Sequence, residues 1–328
     1  MLYSWACQAA LAKDICKIVQ KHVQVRNLMS SLTMQKFQES SCRLAILVPI
    51  FDEDEHTIDR LFNSLLTQTN VSRAFFEVIC LINNDLPGTK KYDRIFSANQ
   101  KVLAMEWFSE SFKDLNVITL DHSSPGKEIQ DCNIGKVRNM LVQTAAVRFQ
   151  ANNGILLHID ADVYFSDPLF IRKAVDLFKD PDVIGVIGGK WREVFLSDYP
   201  EYDPVLLRLA FERIGLSKQC KELSNFLKGK RVLEAFGGSN MLARCHESVA
   251  IGGIADLSVE EDKEFGHRLW EHAKENGSKI LIKKTNLKVV ASLRISERTG
   301  SSFKDEIEQV FRGEDLIVKH PATPVSYY

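Results

Sequence analysis

The chain has 328 residues, of which 45% are hydrophobic and 26% charged. That is the balance of a globular protein with a sizeable core, in one large α/β domain or two ordinary ones. Lys+Arg of 42 against Asp+Glu of 43 leaves a net charge of −1, which argues against a broad basic face for nucleic acid and leaves room only for a local basic groove. Seven cysteines, at 7, 16, 42, 80, 132, 220 and 245, have no zinc-pair spacing and read as free thiols of a reducing compartment. The opening stretch meets Lys13 and Asp14 before any long apolar run, so it is expected to be neither a signal peptide nor a transmembrane segment, and the protein to be cytoplasmic.

Residues 1–42 stand apart. Ile15, Ile18, Val19, His22 and Val23 recur at helical spacing, with Lys13, Lys17 and Lys21 on the other side. The spacing predicts an N-terminal helical extension packed on the main domain; peripheral membrane or partner contact is the alternative. From Arg43 strands and helices alternate. Leu44–Pro49 is a continuous apolar run, as in a buried parallel strand, and Ile58, Leu61, Phe62, Leu65 and Leu66 mark the helix after it. Strand 77–82, a helical stretch from about 90 to 110, strand 116–120, helix 135–149 and strand 155–159 continue the alternation. Such βαβ repetition predicts a mostly parallel sheet flanked by helices, with ligands beyond the carboxyl ends of the strands. The irregular stretch from Trp191 to about Lys230, with Tyr199 and Tyr202, reads as an insertion over that edge.

The residues following each strand are therefore the candidates. Phe51-Asp52-Glu53-Asp54-Glu55 follows the first; acids here serve as helix caps or as ligand contacts. Asn83-Asn84-Asp85 follows the second, an ordinary turn or a set of amides able to read a base edge. Asn133-Ile134-Gly135-Lys136-Val137-Arg138-Asn139 opens a helix whose amino end and cations suit an anion, or are simply a solvated face. The fourth run ends in His158-Ile159-Asp160-Ala161-Asp162. Two carboxylates just past a buried strand are costly unless they meet a cation or donors, and hard divalent ions favour such ligands. Asp-x-Asp occurs at 52/54, 160/162 and 180/182, and position at a strand end singles out Asp160 and Asp162. Later come Gly237-Gly238-Ser239-Asn240 and Glu260-Glu261-Asp262, the latter opening a helix with Phe265, Leu269 and Ala273. Those acids either offset the helix dipole or supply a general base.

In this order the segments resemble glycosyltransferase family 2, inverting enzymes of the GT-A fold. The resemblance rests on Leu47–Glu53, on Leu61–Gln68, on Asn83 where the family carries Asp-Asp-Gly-Ser, and on Asn133–Asn139. Asp160-Ala161-Asp162 is similar to the metal motif, Gly237–Asn240 to the glycine loop and Glu261-Asp262 to the acidic pair, so the match spans roughly 43–275. The resemblance implies one GT-A domain over 43–328: a nucleotide-binding half 43–163, an acceptor half 164–300 and a tail 301–328. It implies transfer of a sugar from a nucleotide-sugar donor, a UDP-sugar first and a GDP-sugar second, to a hydroxyl acceptor of unknown type. Pro49, Phe51, Asp52, Asn83, Lys136, Arg138, Asp160 and Ala161 would face the donor. Asp162, with Asp160, would hold Mn²⁺ or Mg²⁺. Asp262, beside Glu261, would be the base, and Gly237, Gly238, Asn240 and Trp191 would lie on the acceptor side. The chain departs from the family in having Asn83 for an aspartate and no histidine in Val289–Arg294 as a further metal ligand; His320 lies far along the chain, and Arg294 and Arg298 could flank a diphosphate. A haloacid-dehalogenase-like phosphatase using Asp160 and Asp162, and an inactive GT-A binding module, are the competing readings.

Overall fold

The computed structural model describes residues 43–85, 87–89, 91–105, 112, 114–149, 154–193, 239–292 and 308–313, with 203, 205–206, 209–210 and 213. Residues 1–42, Tyr199, Tyr202, Gly237, Gly238, Arg294, Arg298 and His320 lie outside the described residues, as does the side chain of Trp191.

Strand β1 (Leu44–Ile50) is buried along its whole length and sits inside the sheet. It pairs in parallel with β2 (Phe76–Asn83) on one side and β4 (Ile155–His158) on the other. β3 (Val117–His122) adds in parallel to β2. Burial on both faces is why these strands are apolar runs and not alternating sequences. Helix α1 (Glu55–Leu66) follows β1, its amino end capped by Asp54, whose carboxylate accepts from Thr57 N at 2.6 Å. α2 (Tyr92–Ala104) follows β2, and α3 (Ile134–Phe149) precedes β4. The helix expected over about 90–110 ends, as described, at Ala104, with Met105 as its cap.

Beyond Asp160 the sheet changes character, and here the sequence had suggested no strands. β5 (Val163–Tyr164), α4 (Phe170–Leu177), β6 (Val183–Glu193), β7 (Met241–Arg244), α5 (Cys245–Ala250), α6 (Glu261–Asn276) and β8 (Lys279–Ser292) follow in chain order. β7 runs antiparallel to both β4 and β6, while β6 and β8 are parallel. The order is β3-β2-β1-β4-β7-β6-β8-β5, so the fold class expected from the sequence, a mixed sheet flanked by helices, is the one found.

Successive β1 side chains alternate between two cores. Leu44, Ile46, Val48 and Ile50 pack with Ile58, Leu61, Phe62 and Leu65 of α1. Ala45 and Leu47 lie in the other core with Val137, Leu141 and Ala145 of α3 and Phe265 and Leu269 of α6. Helices α3 and α6 therefore share one face of the sheet, and their amino ends meet at its carboxyl edge. Gly135 is required there. A Cβ on it would lie 2.1 Å from Ala255 O, and its N–H donates to Leu257 O at 3.0 Å. Arg268 of α6 binds Gly253 O, and Asn139 Oδ1 of α3 accepts from Ile254 N, so the loop before α6 is tied to both helices.

Candidate functional site at the carboxyl edge of the sheet

The site begins with Asp160, the second residue past β4, and the buried Arg138 of α3. Arg138 Nη2 donates to Asp160 Oδ1 at 2.6 Å, and its Nε lies 3.2 Å from Glu261 Oε1. Only 2% of the Arg138 side chain and 4% of that of Glu261 is exposed, against 32% for Asp160. The guanidinium thus joins the acid pair after β4 to the acid pair opening α6. Of those pairs, Asp160 and Glu261 touch the arginine. Asp162 and Asp262 are half-buried one step further along each segment, with Asp262 Oδ1 accepting from Lys263 N. Glu260, in the left-handed region at φ 62, turns the chain into α6 so that Glu261 points inward.

Burial at this depth changes what Arg138 can do. It stands behind Asp160 and not on an open surface, so it sets the carboxylate's position. Its Nη1 has no hydrogen-bond partner within the protein. His158, the last residue of β4, is fully buried with neither ring nitrogen paired. Burial, and secondarily the charge of Arg138, pushes its pKa down to about 3, so the imidazole is neutral.

The β1 and β2 ends are joined by residues the sequence reading had not singled out. Asp52, with φ 61, pairs with Arg94 of α2 at 2.7 Å. Asn99, fully buried on the same helix, donates to Asn83 O at 2.7 Å and accepts from Asp52 N at 3.4 Å. Asn83 Nδ2 meets Cys132 Sγ at 3.3 Å, and burial raises that thiol's pKa to about 11, keeping it neutral. An arginine and an asparagine five residues apart carried no local signal; only the packing of α2 across two strand ends reveals them. Phe51 is 39% exposed at the same rim, Pro49 lies inside β1, and Ala161 is buried between the two aspartates.

Two expected ligand contacts have other partners. Lys136 Nζ donates to Gln130 O and Asp131 O, at 3.2 and 2.9 Å, and so closes the loop before α3. Asn240, with φ 65, is buried and donates through Nδ2 to Gly189 O and Leu287 O. Its N–H donates to His158 O, so it locks β4, β6 and β8 together from within. A Cβ on Gly188 would fall 2.0 Å from Asn240 Nδ2, which explains the glycine.

Among the described residues no group of three or more His, Cys, Asp or Glu gathers as a metal cage. One or two carboxylates completed by substrate phosphates is the ordinary way Mg²⁺ is held, and Asp162 with Asp160 fits that scheme. A cavity of about 310 Å³ opens at the opposite edge of the sheet, between Arg43, Phe75, Phe178 and Arg244, away from these acids.

No family model matches the chain, and no curated protein matches it. Solved structures do resemble it. One is the mannosyltransferase PcManGT from Pyrobaculum calidifontis in complex with GDP-Man and Mn²⁺: 15% identity, TM-score 0.45, covering 85% of this chain and 66% of that one. Another is S. aureus TarS 1–349 in complex with UDP: 15% identity, TM-score 0.48, covering 84% of this chain and 67% of that one. The chain spans 40% of a longer TarS structure, at TM-score 0.47 and 15% identity. Likenesses at this level concern the overall fold. Among the described residues no helix is long and apolar enough to cross a membrane.

Proposed function

We propose that the protein is a metal-dependent, inverting glycosyltransferase that moves a sugar from a nucleotide-sugar donor to a hydroxyl acceptor. The observation that carries this reading is Arg138, which touches Asp160 and Glu261 at once and so draws the two acid pairs to one place. A donor-side pair and an acceptor-side pair on one edge is what a single displacement at a sugar carbon requires.

In this reading residues 43–163 bind the nucleotide and 164–300 the acceptor, with 301–328 as the tail and 1–42 as a helical extension able to touch a membrane surface. Pro49, Phe51, Asp52 and Asn83 line the nucleoside end, and Arg94 fixes the Asp52 carboxylate. Asp162, assisted by Asp160, would hold Mn²⁺ or Mg²⁺ against the donor diphosphate. When bound, that ion offsets the charge of the departing nucleoside diphosphate. The half-buried Asp262 accepts the proton of the acceptor hydroxyl. The acceptor oxygen forms its bond to C1 as the bond from C1 to the phosphate oxygen breaks on the opposite face, which inverts the anomeric centre. Positioned base catalysis of this kind contributes about 10²–10⁴-fold. The donor is a UDP-sugar or a GDP-sugar, and Gly237, Gly238, Asn240 and Trp191 belong to the acceptor side. Cys80, Cys132 and Cys245 are free thiols, in keeping with a cytoplasmic enzyme.

The test is a panel of nucleotide sugars with Mn²⁺, reading release of nucleoside diphosphate from the full chain. Asp262→Asn is expected to lower that release about 10³-fold with unchanged unfolding temperature. Unchanged turnover would remove Asp262 from the chemistry. Phosphate release from simple phosphoesters, lost in Asp160→Asn, would replace the reading with a phosphatase.

A further inference from the structure

One guanidinium is shared by two carboxylates that belong to different segments. Arg138 Nη2 holds Asp160 Oδ1 at 2.6 Å, and its Nε lies 3.2 Å from Glu261 Oε1. The ionic contact with Glu261 lacks an aligned hydrogen bond, since Nε has no hydrogen-bond partner, and neither does Nη1. Arg138 is therefore committed to Asp160 while keeping unsatisfied N–H groups beside a second, nearly fully buried carboxylate. A buried donor without an acceptor is costly, so any shift that gives these N–H groups a partner is favoured. A fork closed on Glu261 would give Nε an acceptor, Oε1, which already lies 3.2 Å away.

From this geometry we infer that Arg138 is a positioning residue, not a ligand contact, and that through it Glu261 on the acceptor-side helix sets the cation affinity of Asp160. The inference rests on the proposed function, because it concerns the cation placed at Asp160 and Asp162. A cation arriving there competes with Arg138 for Asp160. As the carboxylate turns outward, Arg138 takes Glu261 as its main partner, and the first turn of α6, which carries Asp262, is drawn tighter. Filling the donor side thus orders the acceptor side. Glu261 acts through Arg138 here and need not touch either substrate.

The sign follows from charge. With Glu261 neutralised, Asp160 is, among the described residues, the only carboxylate Arg138 touches, the pair is harder to open, and the cation binds more weakly. A direct through-space effect of Glu261 on the cation would have the same sign. The two differ in additivity, because coupling through Arg138 vanishes once Asp160 cannot pair with it.

The experiment measures Mn²⁺ binding to the full chain in the presence of UDP or GDP, by isothermal titration and by the electron paramagnetic resonance of free Mn²⁺. Glu261→Gln is expected to weaken Mn²⁺ about 5–10-fold, within the range of coupling between contacting groups. The Glu261→Gln, Asp160→Asn double variant is expected to bind no more weakly than Asp160→Asn alone. Hydrogen exchange gives a second readout. Mn²⁺ with UDP or GDP should slow exchange over the first turn of α6 in the wild type and not in Arg138→Lys, which keeps the charge but not the fork. Wild-type affinity in Glu261→Gln, additive losses in the double variant, or equal slowing of exchange in Arg138→Lys would each overturn the coupling while leaving the proposed function standing. Absence of Mn²⁺ binding in the wild type would overturn both.

Discussion

The two edges of the sheet treat their buried polar groups in opposite ways. At the amino edge three arginines of the described residues have found acceptors. Arg244 donates through Nε to Val183 O and through Nη2 to Phe178 O and Asp180 O, with its plane over the Phe178 ring. Arg148 forks onto the buried Glu77, and Arg73 binds the Leu65 and Leu66 carbonyls at the end of α1. At the carboxyl edge, by contrast, Arg138 Nη1, both nitrogens of His158, Asn84 Nδ2, Ser123 Oγ and Asn240 Oδ1 lack a hydrogen-bond partner within the protein. Buried polar atoms are normally paired, so the unpaired ones gathered at the carboxyl edge favour the proposal of a ligand site there. The same residue type, arginine, closes turns at one edge and links carboxylates at the other.

The largest expected effect comes from Arg138→Met. It removes the buried cation that Asp160 and Glu261 share and should cost about 3–5 kcal/mol in denaturant unfolding. A loss below about 1 kcal/mol would mean that the pair is not buried as described. Arg244→Met tests the other edge. Its three carbonyl partners lose their donor, and stability should fall by about 2 kcal/mol while nucleotide binding stays at the wild-type level. Impaired nucleotide binding in that variant would break the division between the edges.

The smallest effect lies beside the amino edge, where Glu247 of α5 sits between His246 and His272 of α6, at 3.3 and 2.6 Å. Hydrogen bonding to His246, then to His272, holds the Glu247 pKa below its ordinary 4.5. The same contact holds His246 above its ordinary 6.5. The glutamate's contribution is present above pH 4.5 and lost as pH falls through its folded value; the histidine's is present below pH 6.5 and lost as pH rises through its folded value. Wild type minus Glu247→Gln should therefore be greatest between about pH 4.5 and 6.5. Because these groups are partly solvated, it should amount to a few tenths of a kcal/mol in unfolding experiments across that range. A difference that grows above pH 8 would contradict the assignment.

The parallel half of the fold was legible because its strands are short apolar runs and α1 carries helical periodicity, both local patterns. Strands β5 to β8 were not. β7 enters between β4 and β6 from far along the chain, and β6 carries Gly185, Gly188 and Gly189 where a strand signal would want branched residues. In the site, Asp160, Asp162, Glu261 and Asp262 could be named because strand ends and helix starts are visible in sequence. The split within each pair was invisible, since it depends on which acid faces Arg138 across a fold boundary. Lys136 and Asn240 also make internal hydrogen bonds that their sequence neighbourhoods do not announce: one closes a loop and the other ties three strands. Arg94 and Asn99 had no sequence signal at all, because their role arises from α2 lying over two strand ends.

The most direct test is calorimetric titration of UDP and of GDP into the full chain with Mn²⁺, with EDTA, and in Asp162→Asn. Saturable binding of one of the two that needs Mn²⁺ and falls at least tenfold in Asp162→Asn is the predicted result. Failure of both nucleotides to bind, or binding indifferent to EDTA and to Asp162, would contradict a metal-dependent nucleotide site at the carboxyl edge.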